Sequence, residues 1–281
     1  MRLMEATIAS EVTYTGIGLH SGQPVKMTLK PAETGVGIIF IRTDLLGHPQ
    51  VRAVIGNVTN TMRATTLENG EAKVVTVEHV LAALYGLEIN NCYVELDSPE
   101  PPVADGSGKV FAELIESAGI VEQSANRVIY SVKKQHLIEE EGKFIAIVPH
   151  DGFRITFTSI NPHPLLGVQF VDYEVNPRVF MDEISKARTI GFVDEIDALQ
   201  KMGLAKGGTL ENVVVYDKIT CLSKTRFPDE LPRHKVLDVL GDISLLGPIN
   251  GHIIAVRSSH ALNSKLAKSI QLEIDQEVFK L

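Results

Sequence analysis

Cysteine is almost absent: Cys92 and Cys221 stand far apart and form no Cys-x-x-Cys pair. That excludes a disulfide framework and a thiolate-rich zinc site, and it makes a reducing, cytoplasmic compartment the expectation. No stretch approaches the roughly 20 apolar residues that a membrane-spanning helix needs. Met1–Ser10 carries Glu5 and lacks the apolar centre of a signal peptide, so no leader and no membrane anchor are expected. Positive charge is short too. With 27 Lys and Arg against 35 Asp and Glu the net charge is −8, which argues against nucleic acid as a partner. A local basic pocket for a small anion is still compatible with that balance. A phosphate-binding loop is also missing: Gly16-x-Gly18 and Gly35-x-Gly37 are too short and lack the Gly-Lys-Ser/Thr ending, which sets a kinase-like nucleotide-binding reading aside.

What is present suits a folded enzyme. A 281-residue chain that is 44% hydrophobic can bury a sizeable core, in one large domain or two smaller ones. Thr7–Tyr14, Val25–Pro31 and Gly37–Arg42 are β-rich runs separated by glycine-containing turns. A helix is predicted over Thr76–Tyr85, with Thr76 as N-cap and Gly86 as its C-terminal stop. Asn91–Leu96 reads as a strand, Ser98–Pro102 as a rigid loop, and a second helix ends near Gly119. Strands resume at Val128–Val132, Phe144–Val148 and Phe153–Ser159. Helical periodicity returns at Asp182–Ala187, Asp194–Met202 and Pro232–Leu246, and a strand at His252–Arg257 and a helix at Asn263–Gln271 close the chain.

The order of several strands, a helix, a strand, a loop and a helix occurs twice, which we read as an internal repeat. The fold class expected is α+β, with two similar domains that each pack a helix pair on a mostly antiparallel sheet. The polar stretch Val121–Arg127 is the expected boundary, giving domains 1–124 and 125–281 with the active site in the cleft between them.

His234 and Asp238 are spaced i, i+4 on the predicted helix after Pro232, so both project from one face and could grip one cation. On spacing alone a solvated or structural pair is the commoner explanation. Glu78-His79 opens another helix, where a carboxylate favoured by the helix dipole is the plain reading and a base beside a third ligand the functional one. Three N/O ligands plus one water is the pattern of a catalytic zinc. His260 follows the last strand, and Asp242, one turn beyond Asp238, could orient it.

Taken in order, Thr15-Gly16-Ile17-Gly18-Leu19-His20-Ser21-Gly22, Thr76-Val77-Glu78-His79, Ala104-Asp105-Gly106-Ser107, Ala187-Arg188-Thr189, His234-Lys235-x-x-Asp238 and Ser259-His260-Ala261-Leu262-Asn263 resemble one family over nearly the whole chain. It is the UDP-3-O-acyl-N-acetylglucosamine deacetylase family of lipid A biosynthesis. The resemblance implies a zinc-dependent amidohydrolase whose partner is that amphiphilic sugar nucleotide, acting as a monomer. His79, His234 and Asp238 would bind Zn2+, with Fe2+ possible on the same ligand types. Glu78 would be the general base, His260 the general acid with Asp242 behind it, and Thr189 a donor to the oxyanion. Lys235 would attract the phosphate-bearing end of the substrate or the reacting centre. An insert at 191–216 would form the acyl passage, with Ile196, Leu204, Ala205, Leu210, Val213 and Val215 as lining and Gly207-Gly208 allowing close approach of the acyl chain. The sequence departs from the family pattern at Ile190, where an aromatic is usual, and at Ser259, where glycine is usual. A non-catalytic binding module on the same fold would be favoured by the loss of a ligand or of Glu78, and all four are in place.

Overall fold

Along Phe153–Asn161 and Ile249–Val256 buried positions alternate with partly exposed ones, the signature of strands with one face on a core. The computed structural model describes residues 2–278. The chain starts with β1 (Met4–Ile8), β2 (Val12–Ile17), β3 (Pro24–Pro31), β4 (Ile38–Arg42) and β5 (Gln50–Arg52). A small sheet of β6 (Val58–Asn60), β7 (Thr66–Asn69) and β8 (Ala72–Val74) leads into α1 (Glu78–Gly86), then β9 (Cys92–Leu96) and α2 (Lys109–Ala118). There follow β10 (Ile120–Asn126), β11 (Tyr130–Ser131), β12 (His136–Glu140), β13 (Lys143–Val148), β14 (Phe153–Asn161) and β15 (Gly167–Glu174). A short α3 (Pro177–Val179) runs into a π-helical turn at Phe180–Ile184. Then come β16 (Ile190–Phe192), α4 (Val193–Lys201), β17 (Val214–Tyr216), α5 (Glu230–Ile243), β18 (Ile249–Val256) and α6 (His260–Val278).

The fold is α+β, and its two large sheets have the same topology. One is ordered β2-β3-β9-β4-β5 and the other β12-β13-β18-β14-β15, with β11 beside β18. In each, the only parallel pair on that path joins the central strand to the next, β9 to β4 and β18 to β14. Each central strand is preceded in the chain by one helix (α1, α5) and followed by another (α2, α6). The helices touch in the order α2, α1, α5, α6, with α2 against the first sheet and α5 and α6 against the second. One apolar cluster runs through both halves, from Ile8 and Phe40 through Leu81 and Leu237 to Ile270.

Several sequence expectations change. The run Thr7–Tyr14 breaks at Ala9–Glu11 into β1 and β2, and β1 leaves the sheet to pair with β10. The polar stretch 121–127 therefore lies largely within a strand rather than in a loose linker; its polarity reflects a two-stranded ribbon with much of its surface in solvent. Thr76 is not the N-cap of α1. Val77 occupies that place, and Thr76 sits at φ +57 with its hydroxyl donating to Glu100 Oε1 at 3.0 Å. Gly86 is the last helical residue, and a Cβ there would lie 2.3 Å from the Phe180 ring.

Helices α1 and α5 cross at very short range. A Cβ on Gly241 would stand 2.1 Å from the Glu78 carbonyl oxygen, a backbone atom that cannot swing aside. Gly241→Ala should therefore destabilise the protein by about 1–3 kcal/mol through overpacking, against a gain of under about 1 kcal/mol in helix propensity. Gly56→Ala, where a Cβ meets nothing within 4 Å, serves as the near-neutral control in the same urea titration. Equal midpoints for the two variants would refute the close crossing.

Candidate metal and catalytic centre

The α1–α5 crossing sets the first turn of one helix against the middle of the other. His79 from α1 and His234 and Asp238 from α5 are all buried, and their ligand atoms lie within 4.8 Å of one another. His79 Nε2 is 3.7 Å and His234 Nε2 is 3.4 Å from Asp238 Oδ1. A tetrahedral ion with bonds of about 2.1 Å separates its ligand atoms by about 3.4 Å, so the trio fits a zinc-sized cation with little adjustment. His234 Nδ1 lies 3.1 Å from the Ala187 carbonyl and donates to it, which leaves the Nε2 lone pair facing the site. Burial drives His234 down to about 3, outweighing the pull of Asp238, so it is neutral as a ligand must be. Burial opposes ionisation of Asp238, but His234 and Lys235 hold it well below the ordinary carboxylate range.

Beside the trio runs a second chain of contacts. Glu78 Oε2 accepts from the Thr65 backbone N–H at 3.0 Å, and Thr65 Oγ1 donates to Asp242 Oδ1 at 2.5 Å. Asp242 Oδ2 is 2.8 Å from His260 Nδ1 and accepts from Asn263 Nδ2, also at 2.8 Å. Asn263 Oδ1 in turn accepts from Ser258 at 2.6 Å. His260 Nε2 then faces Glu78 Oε1 across 3.8 Å. Burial raises Glu78 above its ordinary value, with His260 and His79 working against the rise. Burial would lower His260, but Asp242 and Glu78 outweigh it and lift the imidazole to about 10.

The structure thus brings Glu78, His79, His234, Lys235, Asp238 and His260 to one cleft of about 310 Å3, together with Thr189, and sets Asp242 behind His260. Lys235 Nζ donates to Asp238 Oδ2 at 2.8 Å, and desolvation fails to lower it because Asp238 is so close. The expected acyl-passage residues divide. Ala205 and Val213 line the cleft with Leu19, Ile190 and Leu199. Ile196, Leu204, Gly208, Leu210 and Val215 do not line it: Leu210 is exposed and Val215 is buried in the β16–β17 unit. Gly207 makes its close approach to the protein's own backbone, since a Cβ there would lie 2.2 Å from the Gly18 carbonyl. The insert docks on the Gly18–His20 loop through Gly207 N–H to Leu19 O at 2.9 Å.

Several supporting residues were silent in the sequence. Glu100 is wholly buried and accepts from the His20 and Ser21 backbone N–H groups and from Thr76, fixing the turn before Glu78. A Cβ on Gly18 would strike its Oε2, so that glycine serves a carboxylate and not a phosphate. Glu230 holds Arg188 through Nε at 2.9 Å and through the backbone N–H at 3.0 Å, which sets the Ala187 carbonyl behind His234 and aims Thr189. The one available signal was placement: Glu100 sits in a proline-rich loop and Glu230 opens the helix of His234 and Asp238.

A buried His/His/Asp group, next to a desolvated glutamate and a carboxylate-paired histidine, is the apparatus of a hydrolase that activates water beside a cation. The sequence profile of the family UDP-3-O-acyl N-acetylglycosamine deacetylase matches residues 5–271. The chain belongs to that family, and its activity class is that of a deacetylase. It is 44% identical to the UDP-3-O-acyl-N-acetylglucosamine deacetylase of Myxococcus xanthus (strain DK1622), over 95% of this chain and 86% of that protein. The proteins of the same name from Anaeromyxobacter dehalogenans (strain 2CP-C) and Hahella chejuensis (strain KCTC 2396) are 43% and 40% identical, over 95% and 97% of this chain and 87% and 92% of their own lengths.

The His260–Asp242 pair has a measurable signature. A folded value of about 10 against an ordinary 6.5 means the pair stabilises the fold fully below about pH 6.5 and loses that contribution as pH rises through about 10. In metal-free protein, NMR titration should find His260 still protonated at pH 8, and Asp242→Asn should bring its titration down into the ordinary histidine range. An unchanged titration in that variant would show that Asp242 is not the cause.

Proposed function

We propose that this chain hydrolyses the N-acetyl group of UDP-3-O-acyl-N-acetylglucosamine, releasing acetate and the free amine in lipid A biosynthesis. The observation that carries the reading is that Glu78 shares one cleft with His79, His234 and Asp238, its Oε1 3.8 Å from His260 Nε2 and its Oε2 tied to Thr65. His79, His234 and Asp238 would hold zinc, with iron(II) as the alternative on the same donors. Zinc, when bound there, lowers the pKa of water toward neutrality and polarises the acetamide carbonyl.

The chain's own residues supply the proton transfers. Glu78 Oε1 takes a proton from the attacking water; burial, which raises its affinity for protons, suits it to a base working near neutral pH. The water oxygen forms the new C–O bond, the C–N bond breaks, and His260 Nε2 delivers a proton to the departing nitrogen. Asp242 on Nδ1 keeps the ring turned so that Nε2 faces the site. Thr189 donates to the carbonyl oxygen as it gains charge, a contribution of roughly 3 kcal/mol for a well-placed donor. Lys235 adds fixed positive charge for the oxyanion or the phosphate-bearing end. Leu19, Ile190, Leu199, Ala205 and Val213 give the cleft an apolar wall for the acyl chain. Ile196, Gly208, Leu210 and Val215 are left out of that wall.

Paired sheets of equal topology support a division into halves near residues 124 and 125, with each half giving part of the site. No helix among the described residues is long and apolar enough to cross a membrane, and Cys92 and Cys221 are free thiols; a cytoplasmic enzyme acting as a monomer is part of this proposal.

Acetate release from the named substrate should stop on chelation and return with one equivalent of zinc per chain. Glu78→Gln should lower kcat about 10²- to 10⁴-fold with zinc still bound at unit stoichiometry. Thr189→Ala should cost about 10²-fold. Undiminished turnover by Glu78→Gln would remove the base assignment. Zinc-loaded protein without release across several acyl lengths would remove the substrate.

A further inference from the structure

One histidine of the cleft wall takes no part in the chemistry proposed so far. His20 lines the cleft together with Glu78, His79 and His260. Its backbone is held from two sides: the N–H donates to Glu100 Oε1 at 2.9 Å, and the carbonyl accepts from the Lys206 N–H at 3.3 Å. The ring is held as well. Ala205 donates its backbone N–H to His20 Nδ1 at 3.3 Å, so the Nδ1 lone pair is engaged and the ring proton sits on Nε2. That remaining donor has no protein partner among the described residues, and Nε2 is not one of the sealed, unpaired atoms of the interior. It is therefore a fixed, neutral donor open to the cleft.

Its neighbours indicate what it would hold. Leu19, the preceding residue, and Ala205, which fixes Nδ1, both belong to the apolar wall, so His20 stands where that wall meets the reacting centre. The charged donors of the cleft are committed elsewhere, Lys235 to Asp238 and His260 to Asp242. On the sugar nucleotide proposed as substrate, the 3-O ester joins the acyl chain to the ring carbon next to the one that bears the acetamide. The ester carbonyl oxygen is a neutral acceptor at that junction, and it has to be held without being hydrolysed. A ring with Nδ1 occupied and Nε2 protonated meets both needs, because it donates and has no lone pair with which to activate water.

We infer that His20 is a specificity-determining residue, its Nε2–H donating to the carbonyl oxygen of the substrate's 3-O-acyl ester. This rests on the substrate proposed above and adds the contact by which the ester is recognised. Holding that carbonyl directs the acyl chain along Leu19 and Ala205 and presents the acetamide to Glu78. A site built around an unmet donor also discriminates against ligands that lack the acceptor, since the donor is then left unpaired.

The test measures acetate release by full-length, zinc-loaded protein from the 3-O-acyl substrate and from its 3-O-alkyl ether analogue, which keeps the chain and lacks the carbonyl. Wild type should favour the ester about tenfold in kcat/KM, the size of one hydrogen bond. His20→Phe should erase that preference by lowering kcat/KM for the ester about tenfold, while the ether changes less than about twofold. His20→Gln, which keeps an amide donor, should retain part of the preference. Long-range proton–nitrogen NMR of the wild type should show His20 as the neutral tautomer protonated at Nε2. Equal losses on ester and ether, a preference that survives His20→Phe, or a tautomer protonated at Nδ1 would each overturn the inference and leave the substrate in place. Should His20→Phe fail to fold, the wild type decides: turnover without preference for the ester overturns the inference. Wild type that releases acetate from neither compound would remove the substrate, and this inference with it.

Discussion

Everything the site does depends on two helix backbones touching. Gly241 lets α5 approach the Glu78 carbonyl more closely than any other residue would permit, and that contact decides where the first turn of α1 faces. Because side chains at i and i+4 share a helix face, His234 and Asp238 form one wall of the candidate metal pocket, and the crossing supplies His79 as the other. Moving α1 outward by the width of a methyl group would open the ligand spacings past what a cation of zinc's size can bridge. Glu78 would retreat from His260 in the same movement. The two sheets outside serve to hold this crossing still: α5 packs directly on the second sheet, while α1 is braced by α2, which packs on the first.

The crossing also concentrates charge where burial makes charge expensive. Glu78, Asp238 and Asp242 are three carboxylates with almost no solvent, faced by Lys235 and His260 as the chain's own neighbouring cations. Such an arrangement is tolerable only when every member is paired, since an uncompensated buried charge costs several kcal/mol. The pairings observed are specific: Asp238 with Lys235, Asp242 with His260, Thr65 and Asn263, and Glu78 with the Thr65 N–H. Positive charge is still one short of negative, and the place where the deficit falls is beside the trio His79, His234 and Asp238. A divalent cation there would more than offset it, and by its own field would favour proton release from Glu78 and His260. The local excess of negative charge and the ligand geometry both favour a cation at this place.

Periodicity in the sequence was sufficient to find α1, α5 and the strands around them, because those elements have continuous apolar faces. It failed on β5 to β8, β12 and β15, which are short or partly solvent-exposed and carry too few apolar residues for alternation to stand out. The trio and Glu78 were legible as an ordered set of motifs, and the structure gathers them without exception. What supports them was not legible, for a physical reason: the contacts of Glu100 with Thr76, Glu230 with Arg188 and Thr65 with Asp242 span 24, 42 and 177 residues, and no local pattern encodes a contact of that range. The insert shows the opposite error. Gly207 suggested room for a ligand, whereas the space is taken by the Gly18 carbonyl. A glycine in sequence announces a close approach without saying by what.

That ambiguity bears on how the cleft is built. The Gly18–His20 loop is held from one side by Glu100 and covered from the other by the insert at Gly207, so one short segment links the turn before α1 to the apolar wall of the cleft. Glu78 and the cleft-lining insert residues Ala205 and Val213 are therefore positioned by a common support, although they lie more than a hundred residues apart. A substitution in this loop would disturb chemistry and chain recognition together. A substitution on the outer face of α4 would disturb neither, because none of its nine residues is buried. On the function proposed above, selectivity for the acyl chain would be set where the insert meets that loop, at Leu19, Ala205 and Val213, with Leu199 of α4 completing the wall.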